Sequence, residues 1–224
     1  MTITIHQPEH FPYYGFLDKV NKSDIFVILD DVQFKKNNFQ NRNQILTLNG
    51  PKWIGIPVEM KHITNKYIND RKVQDNWKEE YLNKIIETYK KHPYFDENID
   101  WIERVLSLQS NKLIDYNIGI LEKIFDIKNI KTEIIYSSEL QIETVKTQRL
   151  FDICSKLNAT DYLAGQGAID YLDTKIFSNV NILKHEFIHP LYEQYNSTQF
   201  VPYMSSLDFL MNIGKDNLSG LLHE

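Results

Sequence analysis

The residues able to do chemistry gather in short polar blocks that follow apolar runs. His6-Gln7-Pro8 closes the β-branched stretch TITIHQ (2–7). An imidazole titrates near neutral pH, so a His at a strand end suits a general base, and equally a structural His satisfied inside the fold. A second block, DDVQFKKNNFQNRNQI (30–45), follows the apolar run that begins at Ile25. Adjacent acids on a strand point to opposite faces. One of Asp30 and Asp31 then faces a cleft as base, amine binder or metal ligand, while the other caps a turn. Beyond them, Lys35, Lys36 and Arg42 supply cations, Arg42 with the planar fork that fits a phosphate. Gln33, Gln40, Asn41 and Asn43 supply amides for sugar hydroxyls or a base edge. The competing reading is a solvated loop, because NKYIND and NKIIETYKKH show the same Lys/Asn/Ile bias elsewhere.

Other motifs carry less. His185-Glu-Phe-Ile-His189 fits the zinc-protease pattern, which needs both His on one helical face. NILKHEFIHP alternates like a strand, and Pro190 would cut a helix short. On a strand the two His stand about 13 Å apart, too far for one metal, and no metal site is assigned. Cys154 lies between Leu150 and Leu157 on one helical face and reads as core. Gly165-Gln166-Gly167 follows a strand, but without the full dinucleotide fingerprint it reads as a tight turn. There is no P-loop.

These blocks need a scaffold of strands and helices. Strands are expected at 2–7, 25–34, 52–59, 131–140, 161–165 and 181–190. Helices are expected within 11–24, over 76–92 and 99–125, at 143–157 and at 205–213, the last stopping at Gly214. Alternation of the two types predicts an α/β fold, a largely parallel sheet flanked by helices in the Rossmann-like manner. The 224 residues form one domain, with the helical segment at about 76–125 as an insertion. In such sheets ligands bind beyond the carboxyl ends of the strands. That rule selects His6–Gln7, Asp30–Arg42, Ser137–Ser138 and Gly165–Gly167. A net charge of −5 argues against a non-specific nucleic-acid binder. The absence of a long apolar run argues against membrane insertion, and one cysteine with no signal-peptide pattern argues for a cytoplasmic protein.

The segment IHQPEHFPYYGFLDKVNKSDIFVILDDVQFKKNNFQNRNQI (5–45) resembles the opening of the WbqC-like family. The resemblance continues through WIGIPV (53–58) and IHPLYEQYNSTQFVPYMSSLDFLMNIG (188–214), so it spans nearly the whole chain. Departures are His10 for the usual Tyr or Asn, Tyr14 for Trp, Met204 for Leu and Met211 for Phe. By family position, the resemblance implies a site of His6, Gln7, Asp30, Asp31, Gln33, Gln40, Asn41, Arg42 and Asn43, with His189, Tyr192 and Gln194. Members tend to be encoded with the biosynthesis of O-antigen, capsule and related bacterial surface polysaccharides, beside enzymes of nucleotide-linked amino sugars.

Three functions follow as expectations. The first is an N-acyl or aminoacyl transferase acting on the amino group of a nucleotide-linked amino sugar. Its co-substrate would be an acyl-CoA or acyl-carrier thioester, with an acyl carrier protein as a possible partner. His6, Asp30 or Asp31 would take the proton, and Arg42 with Lys35 or Lys36 would clamp the diphosphate. The second is nucleotidyl transfer, for which the paired His motif is missing and His10-Phe-Pro-Tyr13 is a poor substitute. The third is a non-catalytic sugar-nucleotide-binding protein.

Overall fold

A computed structural model describes residues 1–60, 66–170 and 172–214. In chain order the elements are β1 (Thr2–His6), α1 (Tyr14–Asn21), β2 (Ile25–Ile28), β3 (Arg42–Thr47) and β4 (Gly50–Gly55). Helices α2 (Lys78–Tyr89), α3 (Phe95–Leu106) and α4 (Leu113–Lys128) follow. The rest are β5 (Glu133–Tyr136), α5 (Lys146–Lys156), β6 (Asp161–Ala164), α6 (Gln166–Ile169), β7 (Asn181–Lys184) and α7 (Ser206–Ile213). They form two compact units. The first comprises Met1–Gln7, Gly15–Val32 and Lys131–Ile188, and the second comprises the remaining segments.

The first unit is an α/β fold around a five-stranded, all-parallel sheet in the order β5-β2-β1-β6-β7. Every residue of β2 is buried, as expected of a strand covered on both faces. Ile3, Ile5, Val27, Tyr162 and Ala164 pack in one cluster with Leu150, Ile153 and Cys154 of α5. The opposite parity faces α1: the rings of His6 and Phe26 each meet Phe16 edge-on, at 5.2 and 5.5 Å. Cys154 is a core residue, and burial pushes its thiol up to about 12.

The second unit holds the antiparallel hairpin β3–β4 and helices α2, α3, α4 and α7. Trp77 meets Tyr81 and Tyr116 edge-on, and Asn98 donates to the Leu210 carbonyl, tying α3 to α7. Gly55 is required where β3 and β4 cross closely. A Cβ there would stand 2.5 Å from the Arg42 Cβ and 2.6 Å from the Asn41 carbonyl oxygen.

Several expected elements differ from those observed. The strand expected at 25–34 stops at Ile28, where the ladder with β5 ends. That expected at 52–59 is not part of the parallel sheet. It pairs as β4 with Arg42–Thr47, so the polar block reads as loop only up to Asn41. The strand expected at 181–190 ends at Lys184, and 185–189 is not helical, consistent with Pro190 barring a helix. The helical stretch extends over 78–128 as three helices.

Candidate functional site

From the middle of the sheet, the connection through α1 runs outward from β1 to β2, and the connection through α6 runs outward the other way from β6 to β7. The strand order therefore reverses between β1 and β6, and the crevice at the carboxyl ends of those strands is where such folds bind ligands. The register pairs Thr2 with Asp161 and Ala164 with Lys184. Carried three residues past the last β1–β6 pair, Ile3–Tyr162, and one past the β6–β7 ladder, the same register brings His6, Gly165 and His185 into one row facing α1. Gly165 adds no side chain to that row, and Lys19 takes its place. The Lys19 ammonium stands 3.7 Å from the point a Cβ on Gly165 would occupy, and 5.9 Å from the centre of the Phe16 ring.

The row holds two imidazoles with different partners. The Nδ1 of His6 bonds the Gln7 carbonyl at 3.0 Å. A carbonyl only accepts, so Nδ1 carries the hydrogen of the neutral ring and Nε2 carries the lone pair. Burial, with the Lys19 charge as a second cause, lowers the His6 pKa to about 3. His6 is thus neutral at physiological pH and a weak proton acceptor. His185 places Nε2 2.7 Å from Asp18 Oδ2, with both side chains buried. Burial works against the Asp18 charge, but hydrogen bonds from His185 and Lys22 outweigh it and hold the carboxyl below its usual range.

On the β2 side of the row, Asp30 and Asp31 follow the strand end, and both carboxylates approach the Ser137 hydroxyl. Strand alternation does not separate them, because β2 has already ended. Asp30 accepts from the Ser138 N–H (2.9 Å) and hydroxyl (2.7 Å), binding the loop after β2 to the turn after β5. Arg149 of α5 donates to both oxygens of Asp31 at 2.6 Å. Both carboxylates are therefore engaged within the unit.

The remaining sequence candidates belong to the second unit, where many of their polar groups serve the backbone. Gln40 accepts from the Lys35 N–H, and Asn41 donates to the Ile56 carbonyl. Asn43 donates to the carbonyl of Phe11, a residue held at φ 42°. Arg42 donates to the Asn37 carbonyl and lies 4.1 Å over the Trp53 ring. Gln33 and Lys35 are exposed. His189 is ringed by Tyr14, Tyr192, Phe200 and Tyr203 at 5.0–6.4 Å. Tyr192 and Gln194 both donate to Asp208 Oδ2, at 2.8 and 2.7 Å. Asp208 is fully buried, and its pKa is raised to about 6. His10 is also buried, with its ring nitrogens engaged by Asn117 and Tyr81. A cleft of about 530 Å³ between the hairpin and α2 is lined by Lys52, Lys84, Lys90 and Lys91 against one acid, Glu87, with Trp53 and Tyr195.

Sequence reasoning missed Lys19, Asp18, Arg149 and Asp208. Asp18 and Lys19 look like the polar side of an amphipathic helix, and Arg149 like a solvated helical charge. Ser205-Ser-Leu-Asp208 reads as a helix-capping box. However, the Ser205 N–H goes to the Gln44 carbonyl, and the Asp208 side chain turns to Tyr192 and Gln194.

A parallel, doubly covered sheet with a polar row across its switch point defines the first unit as a Rossmann-like α/β scaffold. The chain belongs to the WbqC-like protein family, whose model matches residues 7–219. It is 29% identical over 218 residues to Rv1507c of Mycobacterium tuberculosis, a protein itself described as uncharacterized; the match covers 96% of this chain and 94% of that protein. No solved structure matches significantly. Among the described residues no helix is long and apolar enough to cross a membrane.

Proposed function

We propose that the protein is a cytoplasmic enzyme of surface-polysaccharide biosynthesis that acylates the amino group of a nucleotide-linked amino sugar. The observation that carries the reading is the row His6–Gly165–His185 beside Lys19, at the switch point of a parallel sheet. Gly165 leaves backbone open to close approach, and Lys19 provides a cation there for a diphosphate. His6, kept neutral, carries its lone pair on Nε2. An anionic diphosphate near Lys19 would offset the charge that depresses His6 and raise its pKa, making it a better acceptor once the ligand is in place. Asp30 and Asp31 act as positioning residues that fix the loops after β2 and β5.

The acyl donor is an activated thioester, such as an acyl-CoA or an acyl carrier protein. In the second unit's cleft Lys52, Lys90 and Lys91, beside a Lys84 that pairs with Glu80, suit the phosphates of such a donor. Nucleotidyl transfer is disfavoured by the interior engagement of His10, which cannot serve as a second active-site His. The test is release of free thiol from an acyl-CoA panel in the presence of uridine- and thymidine-diphosphate amino sugars. Thiol release that depends on the sugar amine supports acyl transfer. Tight nucleotide-sugar binding with no turnover of any pair would make the protein a non-catalytic binder.

A further inference from the structure

We infer that His185, oriented by Asp18, is the general base that deprotonates the attacking amine. This rests on the acyl-transfer reading and adds to it the residue that moves the proton. The first ground is geometric. His185 follows β7 at the carboxyl edge, and its N–H continues the ladder to the Ala164 carbonyl at 2.8 Å. It is thus held by backbone at the level of Gly165, in the same row as His6. Two strand spacings, about 10 Å, separate the two imidazole-bearing positions, with the Lys19 ammonium over the side-chain-free Gly165 between them.

The second ground is the pairing. Asp18 is ionised, so Nε2 of His185 is the donor to its carboxylate. In the neutral ring this places the lone pair on Nδ1, which makes no hydrogen bond to any described residue. A buried carboxylate behind an imidazole fixes its tautomer and stabilises the imidazolium that forms when it accepts a proton. His6 has the opposite arrangement, with a carbonyl partner and the Lys19 cation nearby. Of the two imidazoles in the row, only His185 has a carboxylate behind its ring.

The charged groups nearest the dyad in sequence are Lys19 on α1, Lys22 just after it, Lys184 at the end of β7 and Glu186 beyond it. Lys22 Nζ is 2.8 Å from Asp18 Oδ2. Asp18 thus serves two donors and remains an acceptor throughout. In the step itself, the sugar nitrogen attacks the thioester carbonyl, forming C–N, and its proton passes to Nδ1 of His185. The C–S bond then breaks, the thiolate leaves, and His185 returns the proton to sulfur. The products are an amide and a free thiol, and the protein ends as it began.

The test compares wild type, His185→Gln and Asp18→Asn in the thiol-release assay, with nucleotide-sugar binding by calorimetry in parallel. His185→Gln should lower kcat by about 10²–10⁴-fold while leaving the sugar-nucleotide Kd within about threefold. Asp18→Asn removes the charge behind the imidazole, so the acid limb of its kcat profile should move to lower pH. A purely structural pair would move Tm without moving that limb. Should His185→Gln fail to fold, the Asp18→Asn limb and the imidazole tautomer read by ¹⁵N NMR decide the matter. Turnover that survives His185→Gln, or an Asp18→Asn profile superimposed on wild type, overturns the dyad and leaves acyl transfer standing. Wild type that turns over no donor and sugar pair overturns both.

Discussion

Asp208→Asn isolates one buried charge and gives it a sign. The carboxyl is 0% exposed. Loss of hydration raises its pKa from 3.8 to about 6, against the opposing pull of hydrogen bonds from Gln194 and Tyr192. In the unfolded chain the group releases its proton near 3.8, whereas the folded chain holds it to about 6. Between those values the folded state binds more protons, so stability falls as pH rises; the contribution is complete below 3.8 and gone above about 6. A shift of about two pH units corresponds to about 3 kcal/mol. Asparagine keeps an oxygen to accept from Tyr192 and Gln194 but never ionises. The unfolding free energy of Asp208→Asn relative to wild type should therefore improve by about 3 kcal/mol between about pH 4 and about pH 7. Urea unfolding of both proteins at several pH values measures this directly. A variant-to-wild-type difference that stays constant across that range would refute the reasoning.

Three further outcomes follow from the same structure. His10 is neutral in the fold, with its pKa lowered by burial to about 4 from 6.5, so its contribution is lost as pH falls from about 6.5 towards 4; His10→Asn should make stability less acid-sensitive there, by on the order of 3 kcal/mol, in the same urea series. Arg149→Met leaves the partly buried Asp31 carboxylate with the Ser137 hydroxyl but without its guanidinium, and should cost about 2 kcal/mol, seen as a lower urea midpoint. Lys52→Glu with Lys90→Glu reverses charge in the basic cleft and should raise KM for an acyl-CoA donor at least about tenfold, while the Kd for the sugar nucleotide is unchanged.

The parallel sheet was legible because its strands are short apolar runs with turn residues between them. Ile25–Ile28 is the clearest case, a run with no polar face. The rule that ligands bind at carboxyl ends then pointed to His6, Asp30, Ser137 and Gly165 without any structure. Three things were hidden. The Gln-Asn-Arg-Asn block looked like a ligand loop, because amides that satisfy a buried backbone, such as Asn43 under the strained Phe11, have the composition of amides that bind sugar. Long-range pairings left no local trace: Asp18 and His185 are 167 positions apart, and Asp31 and Arg149 are 118 apart. The division into two units was also masked, since each is assembled from separated chain segments and no linker composition marks a boundary.

The central claim to test is that a nucleotide-linked amino sugar binds beside Lys19 and Gly165. Its most direct test is calorimetric titration of wild type and Lys19→Met with uridine- and thymidine-diphosphate amino sugars, supported by thermal shift at millimolar ligand. Bound ligand raises stability by RT ln(1 + [L]/Kd), so even weak binding registers. Wild type should bind, and Lys19→Met should lose at least about tenfold in affinity at a temperature where both proteins are folded. Equal affinity in the two proteins, or no nucleotide sugar bound by wild type, would contradict it.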